Sequence, residues 1–254
     1  MNSYVILLIT LYIYMSFWFI MSLEKNRNDI ADIAWGLGFV MMAWLSYFVS
    51  GQTSIRSILV CVLVTIWGLR LAWYIHKRNH GKPEDYRYRK WREDWGRWFY
   101  LRSYFQVYIL QGILLFMVVS PVILINESEE VSLVIFDFVG ILVWIIGFVF
   151  ETVGDAQLAA FRKNPVNKGK LIKSGLWKYS RHPNYFGEVT QWWGIWFFTF
   201  GVGQAGFGLI GPVTITLLIL FVSGIPLLEK KYEGRRDWEE YKKKTSRFFP
   251  MPVR

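Results

Sequence analysis

One cysteine and three histidines occur in 254 residues. Cys61 stands between Val60 and Val62 in an apolar run, so a disulfide within the chain and a cysteine metal cluster are both excluded, while the redox compartment stays open. His76 and His80 are four apart, a spacing that can hold a metal. Lys77 and Arg78 between them favour a cationic interface turn, and no metal centre is expected. There is no G-x-G-x-x-G after a strand, no Walker loop and no H-E-x-x-H. Internal repeats and low-complexity linkers are also missing, so one domain over 1–254 is the economical reading. The first apolar run has no basic segment ahead of it and no small-residue cleavage site behind it, and is expected to be a retained span.

What the chain does have is apolar and aromatic side chains, 54% and 19% of residues, with a mean hydropathy of +0.27. A span needs about 20 mostly apolar residues to carry a helix across roughly 30 Å of hydrocarbon with its backbone bonds closed internally. Seven runs qualify: approximately Tyr4 to Leu23, Ile30 to Val49, Ile55 to Ile75, Phe99 to Ile125, Leu133 to Phe161, Tyr185 to Gly203 and Phe207 to Leu228. The expected fold class is therefore all-α, a polytopic membrane bundle of about seven helices. A net charge of +10 would suit nucleic acid in a soluble protein, but here Lys and Arg fall in short blocks between apolar runs, so topology accounts for them and no nucleic-acid partner is expected. Lys25, Arg27 and the dense basic stretch from His76 to Arg102 should be cytoplasmic. The segment from Asn126 to Glu130 has no basic residue and suits the opposite face, which places the N-terminus outside and the C-terminus inside.

The stretch from Glu151 to Glu188 is the richest in chemistry. Glu151 and Asp155 are four apart and share a helical face, with Gln157 beyond them. Acids near a membrane boundary are costly without partners, so a functional site is the first expectation and a structural pair with Arg162 or Lys163 the plain alternative. Then come Arg162, Lys163, Lys168 and Lys170, followed by Arg181, His182, Pro183, Asn184, Tyr185 and Glu188. Guanidinium forks match phosphate oxygens and aromatic faces stack on rings, so such a loop has the makings of a nucleotide cradle. Pro183 fixes the chain at the start of a helix, whose free N–H groups also favour anions. Ordinary flanking charge explains the lysines as well; Arg181, His182, Asn184, Tyr185 and Glu188 together read as a binding site. In the C-terminal tail, Trp238 and Tyr241 are three apart and share a helical face able to cover a bound ring, with a surface-lying amphipathic helix as the alternative. Nearer the N-terminus, Asp29, Asp32 and Trp35 step along one face and Asp32 is the deeper acid. Burial in an apolar bundle favours a neutral carboxyl, which can donate to a carbonyl oxygen. Arg70, Tyr74 and His76 approach the same half, and a tyrosine or histidine there can stabilise a developing oxyanion, with Arg70 and His76 as snorkelling interface residues the alternative.

The run from Gly175 to Glu188 (GLWKYSRHPNYFGE), with Glu151, Asp155 and Gln157 before it and the tail from Tyr232 to Pro250 after it, resembles the DUF1295 group of membrane proteins. That group belongs with the steroid 5-alpha-reductase-like enzymes and is more distantly similar to sterol reductases. The likeness reaches upstream to Asp32–Phe39 and to the region from Trp91 to Arg102. It implies a seven-helix bundle, with N-terminal helices and a basic loop over 1–98 and a cofactor-binding half over 99–254. Such a bundle holds NADPH at the cytoplasmic side and reduces a carbon–carbon double bond in a lipophilic substrate drawn from the bilayer. Carried over by resemblance, Asp155, Arg162, Lys163, Arg181, Asn184, Tyr185 and Glu188 line the cofactor pocket, and Glu229, Tyr232, Arg235, Trp238 and Tyr241 close over its adenosine end. The catalytic Glu and Tyr of steroid reductases have no clean counterpart; Asp32 and Tyr74 are the nearest, which leaves the substrate open. Isoprenylcysteine carboxyl methyltransferases carry a similar Arg-His-Pro-x-Tyr block and use S-adenosylmethionine, so a membrane methyltransferase is the alternative. A scaffold or transporter is a third reading. Membrane lipids are expected partners, and oligomeric state is not legible.

Overall fold

Helix length and hydropathy set the architecture. The computed structural model describes residues 2–129 and 132–252, so Glu130, assigned above to the outer loop, lies outside the described residues. In chain order the helices used below are α1 (Ser3–Lys25), α2 (Ala31–Ser50), α3 (Ile55–Asn79), α4 (Tyr86–Asn126), α5 (Ile135–Lys163), α6 (Pro183–Phe197), α7 (Ala205–Lys230) and α8 (Arg236–Lys244). Among the described residues, six of them, α1 to α5 and α7, are long and apolar enough to cross a bilayer. The chain is an all-α, multi-pass membrane protein.

Two elements depart from the sequence reading. The sixth run gives only 15 helical residues, about 22 Å at 1.5 Å per residue, before it tightens into a 3-10 turn over Phe198–Val202. Thr199 marks the change by hydrogen bonding back to the Trp196 carbonyl at 2.6 Å. The fourth helix, by contrast, starts 13 residues before the expected Phe99, at Tyr86. Asp85 caps it by accepting from the Arg87 N–H at 3.0 Å, and Trp91 stacks on Trp95 one turn on, so a stretch read as basic loop is helical.

The chain divides into two compact units: Met1–Leu133 with Val202–Gly208, and Val134–Gly201 with Leu209–Arg254. In the first unit α2 and α3 approach at Gly36 and Gly68, where a Cβ on either would stand 2.6–2.7 Å from the other's carbonyl oxygen. One end is tied by Asn126, whose amide donates to Ala43 O at 3.0 Å and Ser46 Oγ at 2.8 Å. The other end is ionic. Buried Asp29 takes both arms of Arg27, at 2.7 and 3.0 Å, Glu84 accepts from the Asn28 N–H at 2.6 Å, and the Asn28 amide donates to Ser103 at 2.8 Å.

The second unit is organised by a glycine seam. Gly140, Gly147 and Gly154 of α5 recur every seven residues, and Gly187 and Gly194 of α6 do the same in reverse order. The pairings Gly140–Gly194, Gly147–Gly187 and Gly154–Asn184 make the two helices antiparallel. A Cβ on Gly147 would lie 2.6 Å from Gly187 O and 2.7 Å from Gln191 N, and one on Gly140 2.7 Å from Gly194 O, so backbone meets backbone along the seam. In lipid, helices gain nothing from expelling water from each other, and close backbone approach supplies the attraction.

Gly147→Ala has no flexible neighbour to displace and should lower the unfolding free energy by about 1–3 kcal/mol. Gly206→Ala, with open space around its Cβ, should leave Tm unchanged in the same detergent melt.

Candidate functional site

The seam sets two carboxylates of α5 against two amides of α6. Buried Glu151 accepts from Gln191 Nε2 at 2.6 Å, and buried Asp155 accepts from Asn184 Nδ2 at 3.1 Å. A buried acid is costly unless hydrogen-bonded, and the seven-residue step from Asn184 to Gln191 follows the glycine step, so each amide meets an acid. The amide oxygens Asn184 Oδ1 and Gln191 Oε1 are buried with no hydrogen-bond partner among the described residues. Just outside the seam, Gln157 accepts from the Leu176 N–H at 2.9 Å, and Trp177 donates its indole N–H to Gly154 O at 3.1 Å. Gly175 precedes them at φ +62, with Gln157 packed where a Cβ would stand, so both backbone and space require glycine.

The tail then closes on the loop. Ser180 and Ser246 form a parallel β-bridge, and Arg181 N donates to Ser246 O at 2.9 Å. Ser180 Oγ donates to Phe248 O at 2.8 Å and Met251 N to Tyr179 O at 3.0 Å. Tyr241 donates its hydroxyl to the Trp177 carbonyl. The Arg181 guanidinium lies 5.5 Å from the Trp238 ring, which in turn packs on Tyr232 at 5.3 Å.

Glu229 binds the centre of this closure. Its Oε1 lies 2.9 Å from Arg181 Nε and 3.0 Å from His182 Nε2, and Arg181 Nη1 donates to Thr245 O at 3.0 Å. Burial, helped by Arg181 and Arg247, pushes the His182 imidazole below its ordinary 6.5 against the pull of Glu229. The ring is therefore neutral at pH 7. Because a carboxylate only accepts, the His182 proton sits on Nε2 and points at Glu229. Tyr185 stacks on the same ring at 5.9 Å, and Pro183 begins α6 as the sequence suggested.

The structure thus gathers Arg181, His182, Tyr185, Glu229, Trp238 and Tyr241 around one ionic centre, and Asp155 with Asn184 on the seam. Glu188, one turn after Asn184, is half-buried on α6. Arg181 is engaged by the chain itself at all three guanidinium nitrogens, and it holds the tail. Arg162 and Lys163 end α5 exposed, with no side-chain partner among the described residues, so they do not pair with Glu151 or Asp155. Arg235 turns to Asp237 at 2.7 Å and to Gly169 O at 2.9 Å, at the rim.

In the first unit, Asp32 is held by two guanidinium groups and a phenol. Arg87 lies 3.1 Å and Arg78 3.7 Å from its Oδ2, and the Tyr88 hydroxyl donates to Oδ1 at 2.8 Å. Tyr88 is buried in a stretch the sequence reading treated as loop, and Tyr74 is half-buried on α3. Two aromatic residues in Tyr86-Arg-Tyr88 behind a capping Asp85 were the available signal. His76 and His80 are exposed neighbours, their rings 5.7 Å apart.

Apolar spans with a buried polar cluster at the ends of α5, α6 and α7 define a multi-pass membrane protein built to hold charge at a bundle end. The chain belongs to the family described as "Protein of unknown function (DUF1295)", which it matches over residues 17–245. The "Uncharacterized protein C594.04c" of Schizosaccharomyces pombe (strain 972 / ATCC 24843) is 24% identical over 263 residues, 92% of this chain and 75% of that protein. The "Probable O-methyltransferase ustE" of Ustilaginoidea virens is 33% identical over 82 residues, 32% of this chain and 26% of that protein. No solved structure matches the chain significantly.

Removing Glu229 leaves Arg181 without its carboxylate in a site where Arg181 is only 8% exposed. Glu229→Ala should therefore lower stability by roughly 3 kcal/mol in a detergent melt, and Glu229→Asp by less. His182 adds a pH dependence. The unfolded imidazole takes up a proton near 6.5 and the folded one only at lower pH, so protons favour the unfolded chain. Its contribution is complete above about pH 6.5 and is lost as pH falls below that. Tm measured from pH 7 to pH 5 should decline, and His182→Gln, which keeps a donor for Glu229, should flatten the decline.

Proposed function

We propose that this protein is a steroid 5-alpha-reductase-like membrane reductase that uses NADPH to reduce a carbon–carbon double bond in a lipophilic enone, with its cofactor site facing the cytoplasm. The observation that carries the reading is the closure of the tail over the Arg-His-Pro-Asn loop around Glu229, because it brings aromatic rings, amides and acids of distant segments into one cluster. The residues suit a dinucleotide in kind. The buried Asn184 Oδ1, without a partner among the described residues, can accept from a carboxamide N–H. Arg162 and Lys163, exposed and uncommitted among the described residues, are the cations for phosphate oxygens. Tyr232 offers a half-buried ring face, held by Trp238, for a base. Arg181, His182 and Glu229 act through the tail: they fix Trp238 and Tyr241 and exclude water from the cluster.

Bound NADPH would supply the hydride. Asp32 or Tyr74 is the group proposed to steady the enolate oxygen, Tyr74 through its hydroxyl and Asp32 only as the protonated acid, with Tyr88 positioning Asp32 through its hydrogen bond. The second reading, an S-adenosylmethionine-dependent methyltransferase, has one observation in its favour, the ustE segment above. The Asp155–Asn184 pair and the Gln157–Leu176 bond favour the reductase, since those residues form the signature that resembles its branch.

A thermal-shift panel of NADPH, NADH and S-adenosylmethionine on purified protein separates the two. NADPH at a hundredfold excess over its Kd should stabilise by about 2.7 kcal/mol. That shift should fall by more than half in Asn184→Ala and in the Arg162→Ala/Lys163→Ala pair, and persist in Arg236→Ala, whose side chain is 96% exposed. A shift with S-adenosylmethionine and none with either nicotinamide nucleotide would replace the reductase by the methyltransferase.

A further inference from the structure

The tail does more than cover the loop. Arg247 donates to the carbonyl of Leu220 at 3.2 Å, inside the π-helical turn Leu218–Val222 of the apolar span α7. Phe248 and Phe249 pack on Phe186 of α6 at 5.7 and 6.0 Å, and Phe186 in turn on Phe150 of α5 at 5.1 Å. The last described residues therefore lie against membrane-embedded segments. Three large side chains stay uncovered there: Phe249 is 61% exposed, Met251 48% and Tyr179 42%. The backbone bond from Met251 N to Tyr179 O holds two of them side by side.

Cations flank this apolar tip along the chain. Lys178 sits 5.9 Å from the Tyr179 ring, Arg247 is next to Phe248, and Lys243 and Lys244 end α8. The acids of α8 are used elsewhere, Glu239 on Lys242 at 3.4 Å and Glu240 on Arg236 at 3.5 Å. Lys178, Lys243, Lys244 and Arg247 therefore have no acidic partner among the described residues. Aromatic and thioether groups flanked by unpaired Lys and Arg match one kind of surface, a bilayer interface carrying anionic headgroups: the apolar groups enter the acyl region and the cations meet phosphate.

We infer that residues 242–251 form a strap that docks on anionic phospholipid, with Phe249 and Met251 inserted and Lys178, Lys243, Lys244 and Arg247 on headgroups, and that this docking seats the tail closure. The link runs through backbone carbonyls of the strap itself, since Arg181 donates to Thr245 O at 3.0 Å and to Lys242 O at 3.4 Å. The inference does not rest on the cofactor reading.

A nitroxide at Met251→Cys in a Cys61→Ala background reports the docking, with Ser174→Cys as the aqueous reference and Val149→Cys as the lipid reference. In vesicles of phosphatidylcholine with one-third phosphatidylglycerol, collisions of the Met251 label with an aqueous nickel chelate should be roughly tenfold rarer than at Ser174 and close to those at Val149. They should rise in pure phosphatidylcholine, in high salt, and in Lys178→Gln/Lys243→Gln/Lys244→Gln. Without label, phosphatidylglycerol should raise the Tm of the natural chain and leave that of the triple variant unchanged. Equal chelate access at Met251 and Ser174 in the anionic vesicles overturns the insertion. Chelate access and Tm that ignore phosphatidylglycerol overturn the headgroup contact even if the label is buried.

Discussion

Backbone contact along the α5–α6 seam is the constraint on which the second unit depends. Five glycines leave no side chain between the helices, so the polar groups towards the Gly154–Asn184 end meet at hydrogen-bond distance. A bulkier residue at Gly147 or Gly187 would separate the helices and break the Gln191 and Asn184 hydrogen bonds to Glu151 and Asp155. The acids are therefore tolerated because of packing one to two turns away. The seam also sets where α6 begins, and so where His182 and Arg181, the residues just before Pro183, present their side chains.

From that start, Glu229 completes the arrangement. One carboxylate serves a guanidinium and an imidazole from the same loop, and the guanidinium reaches past it to two carbonyls of the tail. The tail is thus held by ionic and backbone bonds together, with Trp238 and Tyr241 buried as a consequence. Charge density in the loop is a matter of self-assembly as much as of ligand: Arg181 is spent on the fold, while Arg162 and Lys163 remain at the surface.

Spans were legible where apolar runs were long and unbroken, as in α1, α2, α3, α5 and α7. Hydropathy alone overextended α6, because Phe198 to Phe200 are as apolar inside a 3-10 turn as in a helix. It also missed the early start of α4, since a charged stretch with one buried tyrosine does not raise a hydropathy average. The seven-residue glycine step was plain in the sequence and carried no weight there, because glycine inside an apolar run reads as filler until a partner helix is known. The cluster around Arg181, His182 and Glu229 was marked by residue type; that Arg181 turns inward, to a carboxylate 48 residues on, depends on tertiary placement and has no local signal.

Glu229 stands on the last short stretch of α7, Ile225–Lys230, beyond a bend at Ser223 and Gly224. A Cβ on Gly224 would lie 2.6 Å from Ile219 O, so the bend is drawn tight against the π-helical turn before it. Spans tilt to match the thickness of the bilayer around them. With the helix broken at this point, a change of tilt in the upstream part of α7 need not be passed on to the carboxylate.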